Sequence, residues 1–393
     1  MKFDRYFLAL KALLNAKYVF HEPEKEDLLI FDGESLNQLK YILPSFKYQV
    51  IETRINRIKE IYITPKIFFS TIRNIKTNIL NSYLLTLVDI IKPKVVFTFI
   101  DNSSKFSEFA TLRKKKYKFV ALQNGARYEH KIYKALFKKK IIFKDYIKFN
   151  IPYFLCFGEN EIVDYKKHNQ KINNFFKVGS LKVSNFLYSQ KKKKLPKTKI
   201  NDILLISDVY CWDLILNKLN LPIEQGIVKI IKYTIKFAIK NNLKIKLATR
   251  NLKNSFRDEK NFYKKYLNKE EYQYVVKNLF FRKGYYDTYS EMQKSEVVIG
   301  TMSTLLRENL FIGGKSLSCN FTNSSIFDFP INGLCSLKDV EFIKFEKRIK
   351  EILKISHKTY LSKIKKDPSF VVFKDAKYST IKLVKSKLNF FLN

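Results

Sequence analysis

The sequence predicts an α/β protein whose two doubly wound halves face each other across a cleft. Short apolar segments alternate with helical stretches and end in small or polar turns, which is typical of a parallel sheet covered by helices. A basic run with one proline, KKKKLPKTK, interrupts this pattern, which then restarts. Two such halves joined by one linker bring the loops at the carboxyl ends of their strands around a common cleft.

The first half contains six predicted strands. The apolar segment 95–100 follows a proline and ends on a polar loop, and the segment 119–122 ends on Gln-Asn-Gly. A helical region separates the second strand from the third and reaches about residue 90. The six strands are predicted at 28–32, 48–51, 95–100, 119–122, 153–157 and 176–180.

The second half repeats the alternation after the basic run. Its strands are predicted at 203–206, 243–248, 297–299 and, after a helix and two glycines, in the segment that reaches residue 321. The last stretch of the chain combines lysines with apolar residues at helical spacing. We therefore expect one domain at 1–190, a basic linker at 191–200, a second domain at 201–375 and a C-terminal amphipathic helix at 376–393.

Composition indicates a globular protein of two ordinary domains. The 393 residues are 46% hydrophobic, the mean hydropathy is −0.24, and no apolar run is long enough to span a bilayer. The amino-terminal segment carries charges and lacks a clear cleavage site, so we expect a cytoplasmic protein. The cysteines at 156, 211, 319 and 335 have no C-x-x-C spacing, which indicates neither a disulfide framework nor a zinc site.

The formal net charge of +39 predicts a partner of opposite charge. Codon bias towards Lys, Ile, Asn, Phe and Tyr explains much of this excess, but so basic a surface is attracted to anionic lipid headgroups. No recognisable nucleic-acid-binding motif accompanies the charge, so no nucleic-acid partner is expected. Peripheral association with an anionic membrane surface is the favoured consequence.

The segment SEVVIGTMSTLLRENLFIGGKSLSCNF predicts a nucleotide site. It reads as a buried strand, a turn at 300–304, a helix and a second strand, so the backbone N–H groups of the turn and the helix dipole form a seat for phosphate. Gly300 and Thr301 belong to this turn, and Ser303 and Thr304 add hydroxyls. Glu308 lies one helical turn beyond Thr304 and is placed to bind a ribose diol. The alternative is a capped helix with a surface ion pair.

Arg250 is predicted to face the same cleft, because it directly follows a predicted strand. Arginine suits a diphosphate, since its charge is permanent and it binds oxygens bidentately, although a structural salt bridge is an equal alternative. The sequence contains no D-x-D motif, no H-E-x-x-H motif and no cluster of histidines, so it does not indicate a metal site. Neither a P-loop nor a G-x-S-x-G motif is present, which disfavours an NTPase and a serine hydrolase.

In the first half, Asp101 is the first candidate for a catalytic base, because it follows a buried strand and a shielded carboxylate can have a raised pKa. An Asx-turn with Asn102 is the alternative. His130 is the second candidate base, since its intrinsic pKa is near neutrality. The turn Gln123–Asn124–Gly125 is expected to contain a left-handed residue and to present amide groups to the acceptor, together with Asn102.

The sequence resembles GT-B glycosyltransferases in its two halves, in its linker and in six motifs. These motifs are LLIFDGESL, KPKVVFTFIDNSSKF, FVALQNGAR, YFLCFGEN, FKVGS and SEVVIGTMSTLLRENLFIGGKSLS. The resemblance covers most of residues 28–325 and points to the cytoplasmic transferases of capsule or O-antigen biosynthesis. It implies two Rossmann-like domains, the first for the acceptor and the second for a nucleotide sugar, and transfer without a metal or other cofactor. Ser303 and Thr304 would then bind phosphate and Glu308 the ribose.

Other functions remain open at this point. The same resemblance extends to transferases that use CDP-glycerol, CDP-ribitol or CMP-Kdo, and a nucleotide-sugar epimerase shares the two-domain form. A nucleic-acid-binding or scaffold protein with a degenerate sheet is the alternative of another class. The main hypothesis is a glycosyltransferase that moves a sugar from a nucleotide donor to a lipid-linked surface glycan, in the capsule or in lipopolysaccharide, at the cytoplasmic face of the membrane.

Overall fold

The computed structural model describes residues 11–54, 57–75, 78–138, 149–190, 199–209, 223–253 and 256–393. Within these ranges the chain forms two six-stranded parallel sheets and a two-stranded parallel ribbon. The strands are β1 Lys17–Val19, β2 Leu28–Phe31, β3 Tyr48–Ile51, β4 Glu60–Tyr62, β5 Val95–Thr98, β6 Lys118–Leu122, β7 Asn150–Cys156, β8 Lys171–Lys177, β9 Asn201–Ile206, β10 Ile245–Ala248, β11 Leu279–Phe280, β12 Ser295–Gly300, β13 Lys315–Asn320 and β14 Ser336–Lys338.

Helices cover both faces of the sheets. They are α1 Leu36–Leu39, α2 Pro65–Arg73, α3 Ile79–Ile91, α4 Ser104–Arg113, α5 Glu129–Lys138, α6 Glu159–Lys167, α7 Leu181–Gln190, α8 Ile223–Lys240, α9 Arg257–Tyr266, α10 Lys269–Lys277, α11 Asp287–Gln293, α12 Thr304–Phe311, α13 Phe342–Lys354, α14 His357–Ser362 and α15 Thr380–Leu392. Short 3₁₀ helices lie at Gly33–Ser35, Leu43–Ser45, Ser325–Phe327 and Pro368–Phe370. Among the described helices, none has both the length and the apolar character required to cross a membrane.

The first sheet has the strand order β3-β2-β5-β6-β7-β8. Its central strands are buried on both faces, because alternate residues point into two separate apolar clusters. Phe31 and Phe119 pack in one cluster with α3 and α4, whereas Ile30 and Phe97 pack in the other. The chain reverses its direction of winding between β2 and β5, so the topological switch point of this sheet lies at the carboxyl ends of these two strands.

The second sheet has the order β11-β10-β9-β12-β13-β14, with three strands on each side of its switch point between β9 and β12, whereas the first sheet has two strands on one side and four on the other. Its core strands carry buried aliphatic side chains, including Leu204 and Val298. The predicted pair of doubly wound parallel sheets is therefore confirmed. Each sheet therefore has a switch point, which places a potential ligand site at its carboxyl edge.

The C-terminal helix α15 lies within the predicted segment 376–393 and returns to the first sheet. Its side chains Val384, Leu388 and Phe391 join the cluster that also contains Ile30. The Lys118 ammonium donates a 2.6 Å hydrogen bond to the main-chain carbonyl of Phe391. The last helix therefore closes one face of the first sheet, although it follows the second sheet in the chain.

The halves contact each other through an apolar cluster as well as through polar bonds. Tyr128, Ile132, Val183 and Phe186 of the first half pack in the same cluster as the second sheet. This shared cluster holds the carboxyl edges of the sheets close together and so positions the site described below.

The strand predictions differ from the structure in several places. The segment 176–180 is not a separate short strand, because β8 runs through 171–177 and continues the hydrogen-bonded ladder with β7. The sequence analysis missed β1, β4, β11 and β14, each of which has only two or three residues. Residues 191–198 of the predicted linker and Cys211 lie outside the described ranges, and the other three cysteines are buried free thiols.

Candidate functional site

A cavity of about 490 Å³ lies at the carboxyl edge of the second sheet, and a loop of the first half covers it. Its volume is in the range that small-molecule ligands occupy in proteins. The second sheet contributes the ends of β9, β10 and β12, so the cavity includes the topological switch point. The lining residues are Ala126, Arg127, Tyr128, Glu129, Ile206, Ser207, Asp208, Ala248, Thr249, Arg250, Asn251, Arg282, Thr288, Met302, Ser303, Thr304 and Leu305.

Asp208 lies at the base of the switch point, two residues beyond the end of β9. Its Oδ2 atom accepts hydrogen bonds from the backbone N–H groups of Thr301, at 2.6 Å, and Met302, at 3.3 Å. Burial raises the pKa of Asp208 to about 6, although these bonds and the charge of Arg250 oppose that rise. The carboxyl group can therefore exchange a proton close to neutral pH.

This contact changes the predicted phosphate seat. The sequence analysis assigned Gly300 and Thr301 to donor binding through free backbone groups, but the Thr301 amide already donates to Asp208. Gly300 is needed for close approach, because a Cβ there would lie 3.2 Å from Asp208 Oδ2. The turn itself thus holds a carboxylate, and an anionic ligand must bind further along, at the start of α12.

Ser303 and Thr304 line the cavity at the start of α12, as the sequence analysis placed them. Ser303 is the N-cap residue, and its hydroxyl accepts a 3.3 Å bond from the Leu305 N–H. The Thr304 hydroxyl accepts a 2.9 Å bond from the backbone N–H of Ala126, which belongs to the first half. The positive end of the α12 dipole points to the place where the two halves meet.

Three arginines line the cavity: Arg127 from the first half, and Arg250 and Arg282 from the second half. Two carboxylates line it as well, Glu129 and Asp208. Arg127 is neutralised by Asp101, outside the cavity. Arg250, Arg282 and the amino terminus of α12 lie at the same wall, and such groups are of the kind that bind an anion such as a diphosphate.

Asp101 does not line the cavity. It is buried, and its carboxylate forms a two-point ion pair with Arg127, in which Nε lies 2.9 Å from Oδ2 and an Nη contacts Oδ1. The same Oδ1 accepts a 3.2 Å bond from the Asn124 N–H. Burial alone would lower the pKa of Arg127, but attraction to Asp101 outweighs it and leaves that pKa above its ordinary value. Asp101 therefore positions Arg127, which corrects its expected role as a base that faces the cleft.

The turn after β6 is organised from within. Gln123 is fully buried; its amide donates to the Gly125 carbonyl and its Oε1 accepts from the Phe157 N–H at 2.7 Å. The Asn124 side chain accepts from Arg127, and Asn102 donates to Glu129 at 3.2 Å. Of the expected acceptor-binding residues, none of these three lines the cavity. Asn124 and Asn102 support Arg127 and Glu129, which do, whereas Gln123 holds the turn itself.

Gly125 has no left-handed backbone conformation, so that expectation was wrong. Its lack of a side chain serves a close approach between the halves instead. A Cβ at this position would lie 3.3 Å from the Thr304 hydroxyl oxygen. The short distance explains why a glycine fits here without a positive φ.

Glu308 is buried behind the cavity and does not line it. Its two oxygens accept hydrogen bonds from the Ser180 hydroxyl, at 2.5 Å, and the Tyr289 hydroxyl, at 2.9 Å. Burial raises the pKa of Glu308. Because Ser180 belongs to the first half, Glu308 connects the two halves, and its oxygens are engaged there rather than presented to the cavity as expected.

The neighbouring Arg307 also connects the halves. Its guanidinium lies 2.7 Å from Glu161 Oε1, and both side chains are almost completely buried. The alternative of a surface ion pair at this helix therefore does not describe Arg307, which is paired and buried. Helix α12 presents its first residues to the cavity and its next turn to the first half.

His130 is buried beside the cavity wall, and its Nε2 lies 2.7 Å from Asp164 Oδ2. Although burial would raise the pKa of Asp164, the bond to His130 and the charge of Lys131 lower it to about 2. Together with His168, His130 and Asp164 form a group that could hold a metal ion, although the sequence indicated no histidine cluster. One nitrogen or carboxylate oxygen from each of the three residues lies within 4.8 Å of the others. Lys131 already supplies a cation to Asp164, at 3.1 Å. His130 thus does not line the cavity, and its Nε2 is engaged with Asp164.

Sequence reasoning missed Asp208, Arg282 and the direct role of Glu129 in the cavity wall. Asp208 follows an apolar strand in LLISDVY, which is the same signal that selected Asp101. Arg282 follows β11, whose two residues are too few to recognise as a strand. Glu129 carried no signal beyond its proximity to the turn after β6.

Solved structures with similar folds cover nearly the whole chain. A protein from Listeria monocytogenes assigned as a UDP-N-acetylglucosamine 2-epimerase matches with a TM-score of 0.54 and 11% identity, over 93% of this chain and 96% of that one. The UDP-GlcNAc 2-epimerase of Methanocaldococcus jannaschii, in complex with UDP-GlcNAc and UDP, matches with a TM-score of 0.52 and 12% identity, over 92% of this chain and 99% of that one. The UDP-GlcNAc 2-epimerase of Neisseria meningitidis, bound to UDP-GlcNAc, matches with a TM-score of 0.50 and 13% identity, over 92% of this chain and 99% of that one.

These structures share the arrangement of two Rossmann-like domains that face a cleft. No protein-family model matches the sequence, and no curated protein matches it significantly. Identities of 11–13% establish the architecture alone. Together with the two doubly wound sheets and the cavity between them, they confirm that this chain has the predicted GT-B fold.

Proposed function

We propose that the protein is a glycosyltransferase that moves a sugar from a nucleotide-activated donor to a surface glycan of the capsule or lipopolysaccharide type. The observation that carries the proposal is the cavity at the switch point of the second sheet, which the first half covers. It combines cationic side chains, the hydroxyls of a helix amino terminus and a carboxyl group with a raised pKa.

The donor diphosphate would bind between the start of α12 and the arginines of the second half. Ser303 and Thr304 offer hydroxyls there, and the helix dipole favours negative charge. Arg250 and Arg282 line the same wall and can bind phosphate oxygens bidentately. These groups would also stabilise the charge that develops on the leaving nucleotide, so we expect transfer without a catalytic metal or another cofactor.

Asp208 is the proposed proton acceptor for the hydroxyl of the acceptor glycan. It lines the cavity, and its pKa of about 6 suits a general base near neutral pH. Glu129 is the other carboxylate in the wall, and it comes from the first half. This assignment replaces Asp101, which is buried in an ion pair with Arg127, and His130, which is buried in a hydrogen bond with Asp164.

The acceptor would enter on the side of the first half, along the segment 126–129. A lipid-linked acceptor would place the enzyme at the cytoplasmic face of a membrane, and the formal net charge of +39 favours contact with anionic lipids there. The alternatives that use CDP-glycerol, CDP-ribitol or CMP-Kdo require the same kind of anion site. They differ in the nucleotide, which an experiment can identify.

The first test is a thermal-shift panel with UDP, GDP, dTDP, CDP and CMP. A nucleotide at 100 times its Kd adds about 2.7 kcal/mol to the free energy of unfolding, which gives a measurable rise in Tm. We expect a selective response to one nucleotide. Arg282→Ala should weaken its binding by about tenfold or more, because a charge-assisted bond is lost. Arg257→Ala, an exposed arginine on α9 outside the cavity, is the matched control.

The second test follows the fate of the donor that carries the selected nucleotide. Release of free nucleotide that depends on a membrane extract containing acceptor glycan supports a transferase. Interconversion of the donor sugar without any acceptor would instead identify an epimerase. No response to any nucleotide, combined with tight and salt-sensitive binding of DNA or RNA, would overturn the proposal.

A further inference from the structure

A second surface with an unusual composition lies in the first 80 residues, on the ribbon β1–β4 and helix α2. Phe20 is 76% exposed, Phe69 68% and Ile79 72%, values that are rare for large apolar side chains in a folded domain. Exposed neighbours extend the patch. The apolar members, which we call the apolar surface, are Phe20, Ile63, Phe68, Phe69, Ile72, Ile75 and Ile79.

These residues are adjacent in the structure as well as in the sequence. The Ile63 N–H donates a 2.8 Å bond to the Val19 carbonyl, which places Phe20 beside Ile63. Lys66 on α2 pairs with Glu22 at 2.9 Å, so the segment after β1 runs along the start of this helix. The rings of Phe68 and Phe69 lie 5.6 Å apart. These contacts place Phe20 and Ile63 beside the start of α2, which carries Phe68 and Phe69.

Helix α2 presents apolar residues to the outside. A helix on a globular domain normally buries its apolar face, but Ile67 is the buried residue of α2. Phe68, Phe69 and Ile72 are all exposed. Burying a large apolar side chain is favourable, so this outward orientation is costly unless another phase or molecule covers it.

The edge of the apolar surface is basic. Lys17, Lys59, Lys66 and Arg73 are exposed on or next to the same ribbon and helix. Among the acids of this region, Glu22 pairs with Lys66 and Glu60 accepts a hydrogen bond from the Tyr62 hydroxyl, whereas Glu24 is exposed near Tyr62. An apolar centre with a cationic edge matches the chemistry of a bilayer interface that contains anionic headgroups.

We propose that this surface docks the protein on an anionic lipid bilayer, with Phe20, Phe68, Phe69 and Ile72 inserted at the level of the headgroups. A second copy of the chain is a poorer occupant, because two molecules with a formal net charge of +39 repel each other. The bilayer offers both the apolar phase and the opposite charge. This inference does not depend on which reaction the cavity catalyses.

The test is sedimentation with vesicles of phosphatidylcholine alone and of phosphatidylcholine with 30% phosphatidylglycerol, about the share of anionic lipid that gives a strongly negative surface. The variant Phe68→Ser/Phe69→Ser/Ile72→Asn removes the proposed anchors. The control Ile239→Asn/Ile343→Asn/Phe390→Ser removes three apolar side chains of comparable exposure on α8, α13 and α15. Circular dichroism and Tm establish that both variants fold.

We expect the wild type and the control to bind the anionic vesicles, within twofold of each other. The partition coefficient of the anchor variant should fall by at least tenfold, and binding of the selected nucleotide should stay unchanged in all three proteins. Equal vesicle binding by both variants would overturn the inference. It would also be overturned if the wild type formed dimers without binding vesicles and the anchor variant were monomeric.

Discussion

Asp32 and Asp208 occupy equivalent positions in the two sheets, yet their surroundings are different. Each follows the strand at which its sheet reverses direction, β2 in the first half and β9 in the second. Asp32 accepts bonds from Thr53 Oγ1 at 2.8 Å, Arg54 Nε at 3.2 Å and the Glu34 N–H at 3.1 Å. Its carboxylate is thus bound on both oxygens and closed off from ligands.

Asp208 also lies near a cation, since the charge of Arg250 opposes the rise of its pKa, but its hydrogen bonds are of another kind. The described contacts of its side chain are two backbone N–H groups on a single oxygen, and the group faces the cavity. Two carboxylates at the same topological position therefore differ in availability because their neighbours differ. The fold supplies two candidate sites, and local side chains leave one of them open.

The largest expected effect is on turnover. Asp208→Asn keeps an oxygen that can accept the bonds from Thr301 and Met302 but cannot accept a proton at neutral pH. We expect kcat to fall by about 10²–10⁴-fold, the range for removal of a general base. Asp32→Asn is the matched control at the equivalent position, and its kcat should stay within about threefold of wild type. Release of nucleotide from the donor measures both.

A reversed outcome would break the comparison. If Asp208→Asn kept full turnover while Glu129→Gln lost it, the base would be the carboxylate of the first half. Binding of the nucleotide to each variant, measured by thermal shift, separates a loss of chemistry from a loss of donor affinity. The pH profile of the wild-type kcat gives an independent check, because a base with a pKa of about 6 loses activity as the pH falls below that value.

The second prediction concerns the stability contributed by Asp101, which follows β5, the neighbour of β2 in the first sheet. Asp101→Asn leaves the buried guanidinium of Arg127 without its counter-charge. Loss of one partner of a buried pair is strongly destabilising, and we expect a decrease of about 3 kcal/mol in the free energy of unfolding. Asp27→Asn, which breaks the exposed pair with Lys94, should change it by less than about 1 kcal/mol. Urea titration of both variants would contradict the assignment if the two values were similar.

The sequence predicted the two sheets because their central strands are apolar and end in polar turns. It also placed Arg250, Ser303 and Thr304 at the cavity, since each lies directly at a strand end or a helix start. The rule that selected these residues applies to every strand end in the chain. It therefore selected Asp101 equally, although only tertiary contacts show that Arg127 neutralises this residue.

The remaining misassignments have the same physical origin. Periodicity places Glu308 one turn beyond Thr304, but not the Ser180 and Tyr289 hydroxyls that engage its oxygens. Both partners are distant in sequence, at 128 and 19 residues. The pattern of one helix indicates which residues share a face. It cannot indicate which other element packs against that face.

The third prediction concerns how the free energy of unfolding depends on pH at Asp208 and at Asp32. The raised pKa of Asp208 means that the folded state binds a proton more tightly than the unfolded state, so stability falls as the pH rises from about 4 through 6. Asp208→Asn removes this cost. At pH 8 we expect the variant to be more stable than wild type by about 1–2 kcal/mol, with the difference disappearing near pH 4. Asp32→Asn should show no such gain at pH 8, since it loses contacts with Thr53 and Arg54.

The smallest expected effect is at the hydrogen bond between Ala126 of the first half and Thr304 at the start of α12. Thr304→Val removes the hydroxyl that accepts from the Ala126 N–H at 2.9 Å and leaves this amide without its partner. We expect a loss of about 1 kcal/mol in the free energy of unfolding and several-fold weaker nucleotide binding, because the same hydroxyl lines the cavity. Thr304→Ser keeps the hydroxyl and should restore most of both quantities. Equal behaviour of the two variants would mean that Thr304 acts through its methyl group, and that the first half closes over the cavity without this bond.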